Sequence, residues 1–236
     1  MKARARLAAA FCALAASAAF AQDDDLGEHL HACAACHGEH GEGLRGADYF
    51  PHLAGKPAQY LFEQLKGFRD GRRENSQMTW FVRFADDEFL QAIAQHYAAL
   101  APRTRVADAS GTALASAQRT MAQTLVEHGD PSRRLPACVE CHGRNLAGLD
   151  PGVPALVALP ADYIAAQIGS WRDGIRKGAS PDCMHDVAMA LRPDEIHAVA
   201  TWLSQQSNPE GVRPASAGSF VLPRACGELP HADGAP

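Results

Sequence analysis

The sequence predicts an all-α protein made of two tandem copies of one small helical domain, and three observations carry that prediction. A short motif occurs twice, as CAACHG at 33–38 and CVECHG at 138–143, and the same series of landmarks follows each copy. Helical periodicity recurs in matching stretches of both halves, with no sustained period-2 alternation. Glycine and proline gather near the motifs, where they mark loops. With 236 residues, 47% of them hydrophobic and 21% charged, the chain can bury a core and is neither disordered nor collagenous. Lys and Arg total 22 against 27 Asp and Glu, a net charge of −5, so a phosphate backbone is not an expected partner and nucleic acid is excluded as one.

The elements follow in chain order. Residues 1–21 start with Lys2, Arg4 and Arg6, continue as an Ala/Leu/Phe run, and end in Ala19-Phe20-Ala21, the pattern of a cleavable export signal. The run is shorter than the roughly 20 strongly apolar residues that a bilayer span needs. Mature protein is then expected to start at Gln22, with Cys12 lost, and no other stretch is apolar enough to span a membrane. An exported, soluble protein outside the cytoplasmic membrane, in the periplasm, is the expectation. The first half is placed at 22–103, the second at 104–208, with the boundary in the polar stretch from Pro102 to Ser110, and a tail without clear periodicity at 209–236.

Within each half, Pro-x-Leu (Pro51, Leu53; Pro154, Leu156) precedes a helix ending in an Arg-Asp-Gly turn at Gly71 or Gly174. Pro57 opens the first of these helices, around 58–68. A methionine follows, Met78 or Met184, in what reads as a loop. The last helix of the first half carries Phe89, Ile93, Tyr97 and Leu100 as one apolar stripe, and its counterpart carries Ile196, Val199, Ala200 and Leu203 behind Pro193. Equivalent residues lie 103 apart at the Pro-x-Leu and Gly landmarks and 107 apart at Asp87 and Asp194, so the second half has a four-residue insertion between the turn and the last helix.

CxxCH has a specific chemical meaning. Two cysteines three positions apart can each bond one vinyl group of a haem, while the following histidine turns its imidazole onto the iron. Cys33 and Cys36 would hold one haem with His37 as proximal ligand, and Cys138 and Cys141 a second with His142. Chance supplies about 0.01 such motifs per chain of this composition, so two copies in register are not accidental. Zinc is the rival for the cysteine pairs, but neither half offers a second ligand pair at zinc spacing, and a thioredoxin-like pair would need a βαβ context. Two covalent haems also account for an aromatic content of only 7%, since a porphyrin is itself an apolar filler.

The sixth iron position decides between carrier and catalyst. Met78 and Met184 follow their histidines by 41 and 42 residues and are the expected axial ligands. Their soft thioethers favour reduced iron. Spacing disfavours Met189, which is expected in the core, and Met121 is expected to pack on the helix at 112–128. His185 is an alternative ligand beside Met184. His29, His31, His40, His52, His96, His128 and His197 are read as surface or supporting residues. Cys183 and Cys226 remain, and outside the cytoplasm an even remainder suggests a disulfide tying the tail to the Met184 loop. The alternative is Cys183 as a thiolate ligand to iron, which would lower the potential and suggest sulfur chemistry.

On these residues the chain resembles the di-haem class I cytochromes of the cytochrome c4 type. The resemblance rests on CxxCHG, Pro51 to Gly55, the stretch Gln64 to Arg73, Met78 and the DDEF helix, repeated as Gly129 to Gly143, Pro154 to Leu156 and SWRDG, over about residues 25–207. It implies two tandem class I cytochrome c domains related by internal duplication, His37/Met78 and His142/Met184 ligation, and periplasmic electron transfer. Departures are the missing second LAG glycine, Cys183 beside Met184, and the Cys-bearing tail. The expected function is a carrier, not an enzyme, moving single electrons from a quinol-oxidising complex or dehydrogenase to a terminal oxidase. The alternatives are a di-haem enzyme resembling thiosulfate dehydrogenases or peroxidases, and the cytochrome subunit of a flavin sulfide dehydrogenase.

Overall fold

Two helical bundles, one per half, meet along a polar seam. The computed structural model describes residues 26–44, 50–103, 113–206, 208, 211–227 and 229. The signal segment and most of the expected boundary lie outside the described residues. In the first half a helix over 26–37 (α1) ends in the first CxxCH motif, followed by α2 (Ala58–Arg69), α3 (Ser76–Val82) and α4 (Asp87–Ala99). The second half has α5 (Ser116–His128), the motif helix α6 (Cys138–His142), α7 (Ala161–Arg172), α8 (Cys183–Ala190) and α9 (Pro193–Ser204). No helix among the described residues is long and apolar enough to cross a membrane.

The stripes expected on the last helices face both cores, with Ile93 and Tyr97 buried in the first and Phe89 and Leu100 only half-buried at its edge. On α4, Leu90, Ile93, Ala94 and Tyr97 are buried against α2, while Leu26, Leu30 and Cys33 of α1 pack on the same cluster. On α9, Ile196, Val199, Ala200 and Leu203 are buried against α5 and α7. Asp86 caps α4 by accepting from Phe89 N at 2.8 Å, with Asp87 and Glu88 in the first turn, where carboxylates suit the helix dipole. Pro57 immediately precedes α2, as expected, and Gly71 beyond its end has φ +75°, a conformation that favours glycine. Met121 is itself part of α5 and packs half-buried against the second core, whereas Met189 is 52% exposed, a correction: it falls on the outer side of a short helix rather than inside.

Two further differences from the sequence reading matter for the site. Met78 and Met184 lie in short helices, α3 and α8, not in loops, because Asn75 and Asp182 cap them through Met78 N at 2.9 Å and His185 N at 3.1 Å. The four-residue insertion falls between Gly174 and α8. The approach to the second motif is also rebuilt. Here α5 stops at Gly129 (φ +67°), where an added Cβ would lie 2.4 Å from Leu135 O, and a 3-10 turn over Pro131–Arg133 leads to α6. That turn is clamped by Arg133, which donates to both carboxylate oxygens of Glu195 at 2.9 Å and to Asp130 at 2.7 Å.

The halves join at Arg73 and Arg176, which form an antiparallel bridge flanked by Glu74 N to Ile175 O (3.1 Å) and Lys177 N to Arg72 O (2.7 Å). The tail returns to the second half: Ala215 pairs with Gly148 and Asp150, and Cys226 is bonded to Cys183.

Candidate metal centres

Each motif histidine is aimed by a landmark that the sequence marked without explaining. Gly38 and Gly143, just after the histidines, take φ +86° and +80° and turn the chain. The loop then returns so that His37 Nδ1 meets Pro51 O at 2.8 Å and His142 Nδ1 meets Pro154 O at 2.7 Å. With Nδ1–H donating to a carbonyl, the lone pair lies on Nε2, the tautomer a metal requires. Burial is the largest influence on both imidazoles and pushes their pKa values down. The carbonyls act in the opposite sense, and Arg73 at His37 and Lys56 at His142 reinforce burial, so both rings are held neutral.

Two cavities open beside these rings. The first is lined by Cys33, Cys36, His37 and, from α3, Met78, with Phe68 and Tyr97 among its walls. The second is lined by Cys138, Cys141, His142 and, from α8, Met184, with Trp171 and Leu203. Each expected set of residues is therefore gathered around one cavity, and none of the four motif cysteines is in a disulfide. His185 does not line the second cavity and directs Nδ1 at Trp171 O, 3.1 Å away. The sulfur of Cys183 is engaged with Cys226, and a Cα–Cα distance of 5.3 Å suits that bond. The four motif cysteines do not meet: no group of three or more His, Cys, Asp or Glu able to hold a metal ion occurs among the described residues.

Residues not singled out from sequence complete the site. Tyr60, Gln64, Arg73, Tyr163, Gln167 and Arg176 line both cavities and form one polar wall between them. Arg73 Nη2 donates to Tyr163 Oη (3.3 Å) and Gln167 Oε1 (2.7 Å) of the other half. Arg176 Nη2 donates to Tyr60 Oη (3.2 Å) and Gln64 Oε1 (2.6 Å). The guanidinium groups also lie over Phe68 and Trp171, 4.5 and 3.7 Å from the ring centroids. A signal for this wall did exist. Tyr, Gln and Arg recur 103 residues apart, polar residues kept by both copies where apolar ones would suffice for packing.

The chemistry of these cavities suits haem. A cysteine pair placed for the two haem vinyl groups, with a neutral imidazole and a thioether as candidate iron donors, is what a covalently attached haem takes. The wall carries the cations Arg73, Arg176 and Lys56, which fits a ligand bringing its own carboxylates. Buried His52 Nδ1 in the first cavity and Trp171 Nε1 in the second have no protein partner, and such polar atoms are ordinarily satisfied.

Comparison with known proteins agrees. The family model for cytochrome c matches residues 19–96. A thiosulfate dehydrogenase electron acceptor from Thiomonas intermedia is 40% identical over 175 residues, covering 74% of this chain and 78% of the relative. A cytochrome c4 from Pseudomonas aeruginosa is 30% identical over 173 residues, covering 72% and 82%. The chain belongs to the di-haem cytochrome c4 family. The crystal structure of reduced cytochrome c4 from Pseudomonas stutzeri superimposes with a TM-score of 0.64 at 28% identity, covering 79% of this chain and 98% of that one. The expected all-α fold of two class I cytochrome c domains is therefore the fold of this chain, and its function is that of a cytochrome c4-like electron carrier with covalently bound haem c.

Proposed function

We propose that this cytochrome c4-type protein is a periplasmic shuttle with two six-coordinate haems, taking single electrons from a dehydrogenase that oxidises sulfur compounds and delivering them to a terminal oxidase. Cys33 and Cys36 with His37 and Met78 hold one haem, and Cys138 and Cys141 with His142 and Met184 hold the other. The observation that carries this reading is the pairing of a carbonyl-oriented histidine with a methionine around each cavity, twice, on either side of one shared polar wall. A bound haem supplies a one-electron Fe(III)/Fe(II) couple. The protein does the rest. Neutral His37 and His142 would offer Nε2 to the iron, and the soft thioethers of Met78 and Met184 would be its second protein donors and favour the reduced state. The apolar walls exclude water, so an electron can come and go with little rearrangement. Arg73 and Arg176 stand between the cavities, where they can bind carboxylates of both haems and keep the two centres at a fixed separation.

The donor is chosen from the relative named thiosulfate dehydrogenase electron acceptor. A quinol-oxidising complex is the other donor class consistent with a carrier. An enzyme reading drew on Cys183 as an iron ligand, and the sulfur of that residue is in a disulfide. The experiment is to mix oxidised holoprotein with a thiosulfate dehydrogenase and thiosulfate and follow haem reduction by absorbance. Rapid reduction of both haems, together with the weak red charge-transfer band of Met-ligated ferric haem in the resting protein, is the expected result. A high-spin spectrum, or thiosulfate oxidation by this chain alone, overturns it.

A further inference from the structure

The helices that carry Met78 and Met184 are copies of one another, and the chain finishes them differently. Counted from the two methionines, Trp80, Phe81 and Phe84 have Asp186, Val187 and Ala190 as their mates. On α8 the tail is tied to that face. Arg224 donates to Asp186 at 3.3 Å and to Arg134 O at 2.7 Å, Gly227 N donates to Pro181 O at 2.9 Å, and Cys226 is bonded to Cys183. Leu222, Arg224, Gly227 and Leu229 of the tail line the second cavity, and Val187 and Ala190 are half-buried. On α3 the mates are in the open. Trp80, Phe81 and Phe84 are 59%, 45% and 87% exposed, and no tail residue among the described residues lines the first cavity. Trp80 and Phe81 line that cavity themselves, so the exposed face runs into its mouth, with Phe84 just outside.

We propose that the aromatic face of α3 is where the electron-donating dehydrogenase docks, through an apolar patch of its own, so that electrons enter at the first haem. This rests on the donor reading above. A fully exposed aromatic side chain offers roughly 150–250 Å², so the three rings together present on the order of 400 Å² of apolar surface, a size at which an exposed patch on a monomer is often functional. That area decides the kind of occupant. A lasting dimer takes about 800 Å² from each partner, whereas electron-transfer encounters lie at the low end of interface size. A carrier has to let go after each electron, and a small patch allows it. The chemistry of the face is apolar. The residues of α3 carry no charged side chain, and Arg83 at its end lies over the rings of Trp80 and Phe84, 4.4 and 4.6 Å from their centroids. A protein seated on Trp80 and Phe81 closes the mouth of the first cavity and excludes water there. The matching face of α8, tied to the tail through Asp186, offers no such seat.

The test is stopped-flow reduction of the oxidised two-haem protein by a purified thiosulfate dehydrogenase supplied with thiosulfate, with reduction by ascorbate, which needs no docking surface, measured alongside. Phe84→Ser removes the most exposed ring at a position that does not line the cavity. It is expected to lower the bimolecular rate constant with the dehydrogenase by about fivefold or more, as loss of an aromatic anchor does, while the ascorbate rate stays unchanged. Phe84→Leu keeps an apolar side chain and is expected to stay within about twofold of the parent. Met189→Ser alters an exposed apolar residue of α8 and is expected to leave the rate where it was. An unmoved rate in Phe84→Ser overturns the proposal: joined to loss of a dimer in sedimentation it assigns the face to a second copy, and joined to a lowered melting temperature it assigns the face to the chain's own packing. A rate that falls as far in Met189→Ser as in Phe84→Ser overturns it too. An unmodified protein that the dehydrogenase does not reduce overturns the donor reading and this proposal with it, before any variant is made.

Discussion

Arg73 donates to Gln167 across the seam at 2.7 Å, and the duplicated pair returns the contact, Arg176 to Gln64 at 2.6 Å. Each glutamine also accepts from the arginine of its own half, at 3.0 Å for Gln64 and 2.8 Å for Gln167, so four side chains close a ring. The ring joins the bundles and walls both cavities, which makes inter-half stability and haem environment one property.

Arg176→Met is therefore expected to cost about 2–3 kcal/mol, the range for charged hydrogen bonds lost while their buried partners stay unsatisfied. Denaturant unfolding of the holoprotein, followed by haem absorbance and by far-UV circular dichroism, should separate into two transitions where the unmodified protein shows one.

Glu195, with its side chain 2% exposed, gives a pH signature. Burial favours its neutral form, but hydrogen bonds from Arg133 and from Arg192 N outweigh that and hold its pKa below the ordinary carboxylate range. A depressed carboxylate contributes stability that is complete above its unfolded pKa and is lost as pH falls through the folded one. Glu195→Gln should thus destabilise by about 2–4 kcal/mol at neutral pH, the loss of one partner from a buried ion pair. The melting temperatures of variant and parent should converge on acidification.

The Cys183–Cys226 bond spans 43 residues of sequence and anchors the tail next to Met184. Replacing both cysteines by serine is expected to lower stability by about 3–4 kcal/mol on the chain-entropy account. It should also weaken the red Met–iron band by up to half, because only the second centre loses its restraint. A full-strength band in the double variant would show that α8 holds Met184 without help.

Met78→Ala is expected to open one iron and leave the other closed. Carbon monoxide should then bind to half of the total haem in the reduced variant, read from the Soret shift, while the unmodified protein binds little. Binding at all of the haem, or at none, would assign the sixth ligands differently.

Much of this was legible in the chain, and the reason differs by residue. CxxCH is readable because its chemistry requires contiguous residues, and the placement of Met78 and Met184 beside their cavities because duplication gives each a second witness at nearly the same offset. The stripes on α4 and α9 follow from helical period alone, and Ile196, Val199, Ala200 and Leu203 are buried as that period requires. The capped turns of α3 and α8 were missed because a helix this short shows too little periodicity to separate it from a loop. Met189 was misplaced for the same reason: without knowing that α8 exists, its outward face cannot be assigned.

The sequence by itself thus determined the helical class, the duplication, the two CxxCH motifs and the pairing expected for the two spare cysteines, all of which depend on local spacing or on comparing one half with the other. Tertiary structure alone decided that Pro51 and Pro154 orient the imidazoles, that Arg73 and Arg176 trade partners, and that Lys56 lines both cavities. Those relationships join residues far apart in the chain, and hydrogen-bond distance and burial are properties of the packed solid rather than of any sequence interval.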